Sequence, residues 1–197
     1  MKKQQNNRGL LWSFVVIFVV LLLDQILKIW VRTNMALGEE IPVIGNWFRL
    51  LFIENDGMAF GWLGGGGILK LALSLFRIVA IVALFWVLVR LSKKKVKFGV
   101  LFGIALITAG ALGNIIDCVF YGQIFHYAGW LHGRVVDMLY FPIIDVAREE
   151  ASWLPNFFFG PDGRFIFFRP IFNLADSSIT IGVFYMLLFQ WKWLKSW

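Results

Sequence analysis

The sequence predicts an α-helical membrane protein with four transmembrane helices, a small extracytoplasmic β-sheet and a short interfacial helix. Of its 197 residues, 59% are hydrophobic and only 16% are charged, a composition far more apolar than that of a soluble domain. Windows of about 20 apolar residues are long enough to cross a bilayer, and four are present, at 10–30, 69–89, 98–119 and 171–191. The segments between them leave no room for a separate soluble domain, so one membrane-embedded domain is expected over residues 1–197.

The first window has one feature of a cleaved signal peptide, because Lys2, Lys3 and Arg8 precede an apolar run. However, the run is longer than the roughly 7–15 apolar residues of a signal peptide, and it lacks a clear small-residue cleavage site. It also contains Asp24 and Lys28. We therefore expect this window to remain as the first transmembrane helix.

The distribution of charge predicts the orientation of the helices. The basic residues near the window ends lie in three segments without any acid, namely Lys2, Lys3 and Arg8, then Arg90, Lys93, Lys94, Lys95 and Lys97, and finally Lys192 and Lys195. Since such basic segments stay in the cytoplasm, both termini should be cytoplasmic and the two acidic connections should face outward. Topology and anionic phospholipid headgroups account for the net charge of +7, and no nucleic-acid partner is expected.

The two outward connections differ in their patterns. Residues 31–68 combine Pro42, Gly45 and a run of four glycines with alternating segments such as "WFRLLFIEN", which predicts short strands and turns that form a small sheet on the helices. Residues 122–170 are rich in aromatic side chains, which suit the membrane interface. Within that connection, residues 145–154 fit either a short amphipathic helix on the membrane surface or an ordinary surface loop.

Ionisable and amide side chains inside the windows are candidates for function, because their desolvation must be offset by specific partners. Asp24 and Lys28 are four residues apart and lie on one helix face, as a structural ion pair or as part of a site. Asn114 and Asp117 lie on one face at the outer end of the third window. In the same window, Ala109 and Gly113 form a small-residue pair that would let another helix approach closely.

Two more acids complete a set on the outer side of the membrane. Asp137 follows two β-branched residues in an expected strand or extended turn, and Asn173 and Asp176 lie on one face at the outer start of the fourth window. Two carboxylates that lie close together do not both ionise easily, so one of them keeps a proton to a higher pH. Such a pair can hydrolyse an amide, because the ionised acid activates water while the protonated acid polarises the carbonyl.

Other chemistries have weaker support in the sequence. There is no HExxH motif, and His126 and His132 lie six apart in a connection, so we expect no metal site. Cys118 is the only cysteine and is expected to be a small packed residue. Ser177 and Ser178 have no evident base beside them, so hydrogen bonds within the helix bundle are expected for both.

Two functions without catalysis fit the sequence less well. A small transporter or channel subunit would distribute acids across the bilayer depth and show inverted repeats, whereas these acids collect at one face and no repeat is evident. A lipid-binding or assembly factor would explain the interfacial aromatic residues but not the two separated acids. Amide hydrolysis by a pair of acids therefore explains more of the sequence than either of these functions.

Five motifs in order resemble those of the lipoprotein signal peptidases, also called signal peptidase II. They are "DQILK" at 24–28, "NDGMAFG" at 55–61, "GALGNIIDCV" at 110–119, "GRVVDM" at 133–138 and "FNLADSSITIG" at 172–182. One short motif is weak evidence, but the five span nearly the whole chain on the expected elements. The resemblance implies an aspartic endopeptidase of the bacterial cytoplasmic membrane that removes the signal peptide from diacylglyceryl-modified prolipoproteins and cuts just before the lipidated cysteine.

The resemblance also implies roles for individual residues. Asp137 and Asp176 would form the catalytic dyad. The residues expected to shape the site or bind substrate are Asp24, Lys28, Asn55, Gly57, Asn114, Asp117, Arg134 and Asn173. It further implies lipidated prolipoprotein substrates, contact with membrane phospholipid, inhibition by globomycin-type peptides, a monomer, and no cofactor or metal.

Two departures from the family pattern are present. Many members have Arg directly after the acid of the third motif, where this chain has Cys118, so that positive charge is either absent or supplied by Arg134. The stretch 138–170 between the two motif acids is longer than usual and should alter the outer rim of the site. Asp145 lies in this stretch and is expected to be solvated rather than catalytic.

Overall fold

The computed structural model describes residues 2–56 and 67–195, with side chains described from Arg8 onward except at 67 and 69. Gly57 and the glycines at 64–66 lie outside the described residues. The helices are α1 (Lys2–Asn34), α2 (Gly67–Lys93), α3 (Phe98–Ile116), α4 (Gly122–Ile124), α5 (Leu174–Phe189) and α6 (Trp191–Leu194). The strands are β1 (Glu40–Ile44), β2 (Phe48–Asn55), β3 (Val135–Tyr140), β4 (Ile144–Ala147), β5 (Arg164–Phe167) and β6 (Ile171–Phe172).

Within the described part of the chain, three helical segments are long and apolar enough to cross a membrane: Arg8–Asn34, Lys70–Lys93 and Phe98–Ile124. They coincide with the first three predicted windows. Large apolar side chains such as Phe18, Phe76 and Val79 are exposed on their outer faces, as expected for side chains that contact lipid. The membrane character of the fold is therefore confirmed.

The fourth predicted window is shorter in the structure than in the sequence analysis. The prediction that it begins at residue 171 is wrong, because Ile171–Phe172 form strand β6 and helix α5 starts only at Leu174. Helix α5 has 16 residues and a length of about 24 Å at 1.5 Å per residue, somewhat less than the roughly 30 Å of a hydrocarbon core. The count of four transmembrane helices thus stays a prediction.

Helix α3 is the centre of the bundle and packs against α1, α2 and α5. Its small residues permit the approach of α5. A Cβ atom on Gly110 would collide with the carbonyl oxygen of Ala175, and one on Gly113 would lie 2.7 Å from Asp24 Oδ2. The close approach predicted at Gly113 is therefore present, with Gly110 as the second small residue at the contact, and it brings the N-terminal end of α5 against α1 and α3.

The C-terminal end of α3 changes into a π-helical turn at Asp117–Tyr121. The wider turn leaves backbone carbonyls free for partners outside the helix. The carbonyl oxygen of Cys118 accepts a hydrogen bond from the backbone N–H of Gly133 at 2.8 Å. A Cβ atom on Gly133 would collide with the carbonyl oxygen of Asp117, so only glycine fits here. This contact attaches the segment that leads into β3 to the end of α3.

Four strands form an antiparallel sheet in the order β1-β2-β3-β6. The strands predicted for residues 31–68 and the extended conformation predicted at Asp137 are confirmed. Val136 and Met138 of β3 pack with Phe52 of β2 against Val31 and Met35 at the C-terminal end of α1. Because side chains alternate along a strand, Asp137 lies on the opposite face, beside the start of α5.

Strands β4 and β5 form a separate hairpin between β3 and β6. The short interfacial helix predicted for residues 145–154 is wrong, because Asp145 and Val146 pair with Ile166 and Phe165 across the hairpin and the chain then continues in turns. An ion pair from Asp145 to Arg164 adds to this pairing. Long-range strand pairing therefore overrides the local helical periodicity. Asp145 was expected to be solvated, but its side chain is only 18% exposed and is paired with Arg164.

Candidate active site

Asp137 projects from β3 with both carboxylate oxygens hydrogen-bonded. Oδ1 accepts from Nδ2 of Asn173 at 2.7 Å, and Oδ2 accepts from Nδ2 of Asn55 at 3.1 Å. Burial raises the pKa of this carboxyl to about 6, and the negative charge of Asp176 also raises it, while the two amide donors lower it. Asp137 therefore keeps its proton at a higher pH than an ordinary aspartate does.

Asp176 lies in the first turn of α5, where Asn173 caps the helix. Oδ1 of Asn173 accepts from the backbone N–H of Asp176 at 2.8 Å, and the backbone N–H of Asn173 donates to Asp176 Oδ2 at 3.3 Å. This reciprocal arrangement is a capping box. Asp176 Oδ1 also accepts from Nδ2 of Asn114 at 2.7 Å. Both oxygens of the Asp176 carboxylate are therefore hydrogen-bonded, at the N-terminus of α5.

Asn173 connects the two acids through a fully buried side chain. Its backbone and side-chain oxygen hold Asp176, while its Nδ2 donates to Asp137 Oδ1 and also contacts the carbonyl oxygen of Val136 at 3.3 Å and Oδ1 of Asn114 at 3.1 Å. One asparagine therefore positions both carboxylates. The sequence analysis expected Asp137 and Asp176 to converge, and the described structure brings them to the same asparagine.

A buried ion cluster, defined as Asp24, Lys28, Asn114 and Asp117, lies directly beneath the two acids. Lys28 Nζ is 2.8 Å from Asp117 Oδ2, 2.9 Å from Asn114 Oδ1 and 3.0 Å from Asp24 Oδ2. The side chains of Lys28, Asp24 and Asp117 are 0–1% exposed. Asp24 and Lys28 thus form an ion pair, and Asn114 links Lys28 to Asp176.

Each acid of the buried ion cluster also holds the backbone of the element that carries Asp137 or Asp176. Asp24 Oδ1 accepts from the backbone N–H of Ala175 in α5 at 2.8 Å. Asp117 Oδ2 accepts from the backbone N–H of Val136 in β3 at 3.2 Å. The cluster therefore fixes the relative position of the residues that precede Asp176 and Asp137.

Gln25 was missed as a site residue by the sequence analysis. Its Nε2 donates to Asp117 Oδ1 at 3.0 Å and to the carbonyl oxygen of Gly113 at 3.2 Å, and its Oε1 accepts from the hydroxyl of Tyr121 at 3.1 Å. It joins α1 to the C-terminal end of α3. The signal that could have identified it is the presence of an uncharged amide beside Asp24 within an apolar window.

The cation near Cys118 is Arg77 of α2, a residue that the sequence analysis did not name. Nη1 of Arg77 in α2 donates to Cys118 Sγ at 3.0 Å. The alternative that Arg134 supplies this charge is wrong, because Arg134 instead pairs with Glu54 at 2.9 Å and with Asp56 at 3.4 Å. Cys118 is buried, as predicted.

The remaining candidates have structural partners. Ser177 Oγ donates to the carbonyl oxygen of Asn173 at 3.0 Å, and Ser178 Oγ donates to the carbonyl oxygen of Leu106 at 2.8 Å. Both serines therefore hydrogen-bond within the bundle, as expected. Among the residues that the sequence analysis named, Gly57 lies outside the described residues.

Comparison with known proteins was consistent in sequence and in structure. Residues 16–192 match the family model described as signal peptidase (SPase) II. The chain is 44% identical over 189 residues to a lipoprotein signal peptidase of Porphyromonas gingivalis, covering 88% of this chain and 80% of that protein. It is 37% identical over 190 residues to a lipoprotein signal peptidase of Amoebophilus asiaticus, covering 90% of this chain and 77% of that protein.

Two solved structures resemble this chain over most of its length. Two structures of a bacterial membrane enzyme, obtained by the in meso method, are each 28% identical to this chain. The first has a TM-score of 0.59 and covers 91% of this chain and 87% of its own. The second has a TM-score of 0.60 and covers 89% of this chain and 90% of its own.

Proposed function

Because the chain belongs to the signal peptidase II family, we propose that it is an aspartic endopeptidase that cleaves diacylglyceryl-modified prolipoproteins just before the lipidated cysteine. The observation that carries this proposal is the connection of Asp137 and Asp176 through Asn173. The two acids are held in different surroundings, one in a buried position that favours its protonated form and the other at a helix N-terminus. Such a difference is what a pair of acids needs to act as acid and base.

In the proposed mechanism, Asp176 is the base and Asp137 is the acid. A water molecule gives a proton to the Asp176 carboxylate as its oxygen attacks the scissile carbonyl carbon. The protonated Asp137 donates a hydrogen bond to the carbonyl oxygen and stabilises the charge that develops there. The carbon–nitrogen bond of the tetrahedral intermediate then breaks, and Asp176 gives the proton that it took from water to the leaving nitrogen. The products are the carboxyl end of the signal peptide and the amino group of the lipidated cysteine.

The membrane position of the site suits a lipidated substrate. Exposed apolar side chains cover the spanning helices, and the dyad lies at the ends of the helices that carry the acidic connections. Both termini are proposed to lie in the cytoplasm and the dyad at the outer face of the cytoplasmic membrane, so that the acyl chains stay among phospholipids while the peptide bond reaches the acids. We expect the protein to act as a monomer and to be inhibited by globomycin-type peptides.

The test is cleavage by the purified protein of a lipidated precursor and of the same precursor without lipid. The lipidated precursor alone should be cut, and mass spectrometry should find the lipidated cysteine at the new N-terminus. Asp137→Asn and Asp176→Asn should each lower turnover by at least about 1,000-fold, as expected for groups that act in the chemical step. Asp145→Asn is the matched control, because its ion pair with Arg164 lies on the hairpin, and it should retain activity.

Two outcomes would contradict the proposal. Near-normal turnover by either dyad variant would remove the assigned acid from the mechanism. Equal cleavage of both precursors would remove the lipid from substrate recognition. In each case the amount of folded protein is measured first, so that a folding defect is not counted as a catalytic one.

A further inference from the structure

Five charged residues form a chain of ion pairs on the outer rim, separate from the dyad and from the buried ion cluster. This rim bracket consists of Arg32, Glu54, Asp56, Lys70 and Arg134. Its ion-pair distances are 3.3 Å from Arg32 to Glu54, 2.9 Å from Arg134 to Glu54, 3.4 Å from Arg134 to Asp56 and 2.6 Å from Lys70 to Asp56. It joins the end of α1, the end of β2, the residue before β3 and the start of α2.

The inner half of the rim bracket, Arg32 and Glu54, is held in place by aromatic rings. The guanidinium carbon of Arg32 lies 5.7, 5.2 and 5.3 Å from the ring centroids of Phe52, Phe125 and Tyr127. The backbone N–H of Arg134 donates to the hydroxyl of Tyr127 at 2.7 Å. Cations over aromatic rings are attracted to them. These contacts therefore define the positions of Arg32 and Arg134, which form ion pairs with Glu54.

The position of the rim bracket in the sequence connects it to the dyad. Glu54 and Asp56 are the two neighbours of Asn55, the last residue of β2. Because successive side chains of a strand point to opposite faces, ion pairs at 54 and 56 hold the backbone from one face and direct Asn55 to the other. On that other face, Asn55 Nδ2 donates to Asp137 Oδ2 at 3.1 Å.

We propose that Glu54, Asp56 and Arg134 are positioning residues for the reaction, because their ion pairs on both sides of Asn55 hold its amide against Asp137. This inference rests on the proposed function. The amide hydrogen bond favours the ionised form of Asp137, whose other charged neighbours are Asp176 on α5 and Lys28 on α1. A loosened bracket lets Asn55 turn away, which disturbs the placement of the acid and lets Asp137 hold its proton to a higher pH.

The two halves of the rim bracket differ in their exposure to solvent. The Glu54 side chain is 7% exposed, whereas the Arg134 and Asp56 side chains are 45% and 52% exposed. Salt screens pairs between exposed charges much more than buried ones. The outer half of the bracket should therefore weaken as the ionic strength rises, and the catalytic rate should fall with it.

The experiment compares Arg134→Gln with Arg49→Gln in the full-length protein. Arg49 also forms an ion pair on this sheet, with Glu40, but it lies away from Asn55. Arg134→Gln should lower kcat about fivefold with little change in KM, as expected for a coupled neighbour of a site residue. Its rate should no longer depend on salt, Arg134→Lys should recover most of the activity, and Arg49→Gln should behave like the wild type.

A double-mutant cycle tests whether the effect passes through Asn55. In an Asn55→Ala background, Arg134→Gln should have little further effect on kcat or on the pH profile. In the wild-type background, the same substitution should move the alkaline limb of kcat/KM upward by about half a pH unit, because it weakens a hydrogen bond to the ionised acid. Glu54→Gln repeats the test with a second variant, in case Arg134→Gln folds poorly.

The outcomes separate this inference from the proposed function. If the wild type cuts the lipidated precursor but Arg134→Gln is fully additive with Asn55→Ala, or changes only KM, the bracket inference is overturned and the peptidase stands. If the wild type does not cut the precursor, the titration of the Asp137 carboxyl is followed by infrared difference spectroscopy against Asp137→Asn. A shift to higher pH in Arg134→Gln supports the bracket there, and an unchanged titration overturns it.

Discussion

The buried ion cluster and the rim bracket hold the two sides of the proposed dyad in physically different ways. Lys28 sits among Asp24, Asp117 and Asn114 with no solvent exposure. In the rim bracket, Arg134 is 45% exposed and Asp56 is 52% exposed. A buried charge that loses its partner remains uncompensated in a medium of low dielectric, whereas an exposed one is solvated by water.

Because of this difference, we expect substitutions in the buried ion cluster to lower stability and substitutions in the rim bracket to lower activity. The buried ion cluster holds backbone groups of α5 and β3, at Ala175 and Val136, so its loss should unfold the site and the surrounding bundle. The rim bracket flanks one side chain, Asn55, at the end of a strand. Its loss should change the rate of a protein that still folds.

The sharpest test of the comparison removes one lysine from each region. Lys28→Met leaves two carboxylates buried without a cation and should cost about 3–5 kcal/mol of stability, a large part of the roughly 5–15 kcal/mol that keeps a domain folded. Lys70→Met makes the same chemical change at the rim and should cost at most about 1 kcal/mol. Folded yield and thermal unfolding in detergent measure both, and equal losses would contradict the distinction drawn between the two regions.

Asp24→Ala should have the next largest effect. It removes a partner of Lys28 and an acceptor of the Ala175 backbone N–H, with an expected cost of about 3 kcal/mol. The amount of folded protein should therefore fall more than the activity per folded molecule. An abundant but inactive variant would instead give Asp24 a direct part in the reaction.

The raised pKa of Asp137 should make the stability of the protein depend on pH. Its pKa rises from 3.8 to about 6 on folding, so the unfolded chain releases this proton at a lower pH than the folded one. Stability should therefore decline as the pH rises from about 4 to about 6, by about 2 kcal/mol, and level off above that range. Denaturation of the wild type and of Asp137→Asn across this range is the measurement, and the decline should be smaller in the variant.

The same ionisation should appear in the kinetics. If Asp137 acts as the acid, kcat/KM should fall as the pH rises above about 6, because this parameter reports the free enzyme. A profile that stays flat up to the titration of lysines would contradict the assigned role.

The smallest effect is expected at Cys118. This thiol is buried and contacts Arg77 of α2 rather than either dyad acid. A thiol-blocking reagent should leave hydrolysis intact in the wild type, to the same degree as in Cys118→Ser. Inhibition that is absent from the Cys118→Ser variant would place the thiol next to the reaction.

Local patterns predicted several parts of the fold and site. Apolar length predicted the three long helices, alternation predicted strands in residues 31–68, and the placement of acids in ordered motifs singled out Asp137 and Asp176. Helix spacing predicted the ion pair of Asp24 and Lys28. Local patterns failed at residues 145–154, where pairing with a strand almost 20 residues away along the chain decided between helix and strand.

By itself, the sequence therefore determined the membrane character, the helices that are long and apolar enough to cross a membrane and the two acids of the proposed dyad, because hydropathy and motif spacing act over one turn or one strand. Only the tertiary structure decided that Asn173 joins the acids, that Gln25 belongs to the site, and that Arg77 rather than Arg134 lies beside Cys118. The hydrogen bond from Ala175 to Asp24 spans 151 residues of sequence. Such contacts depend on which helix faces meet after packing, and no local periodicity contains that information.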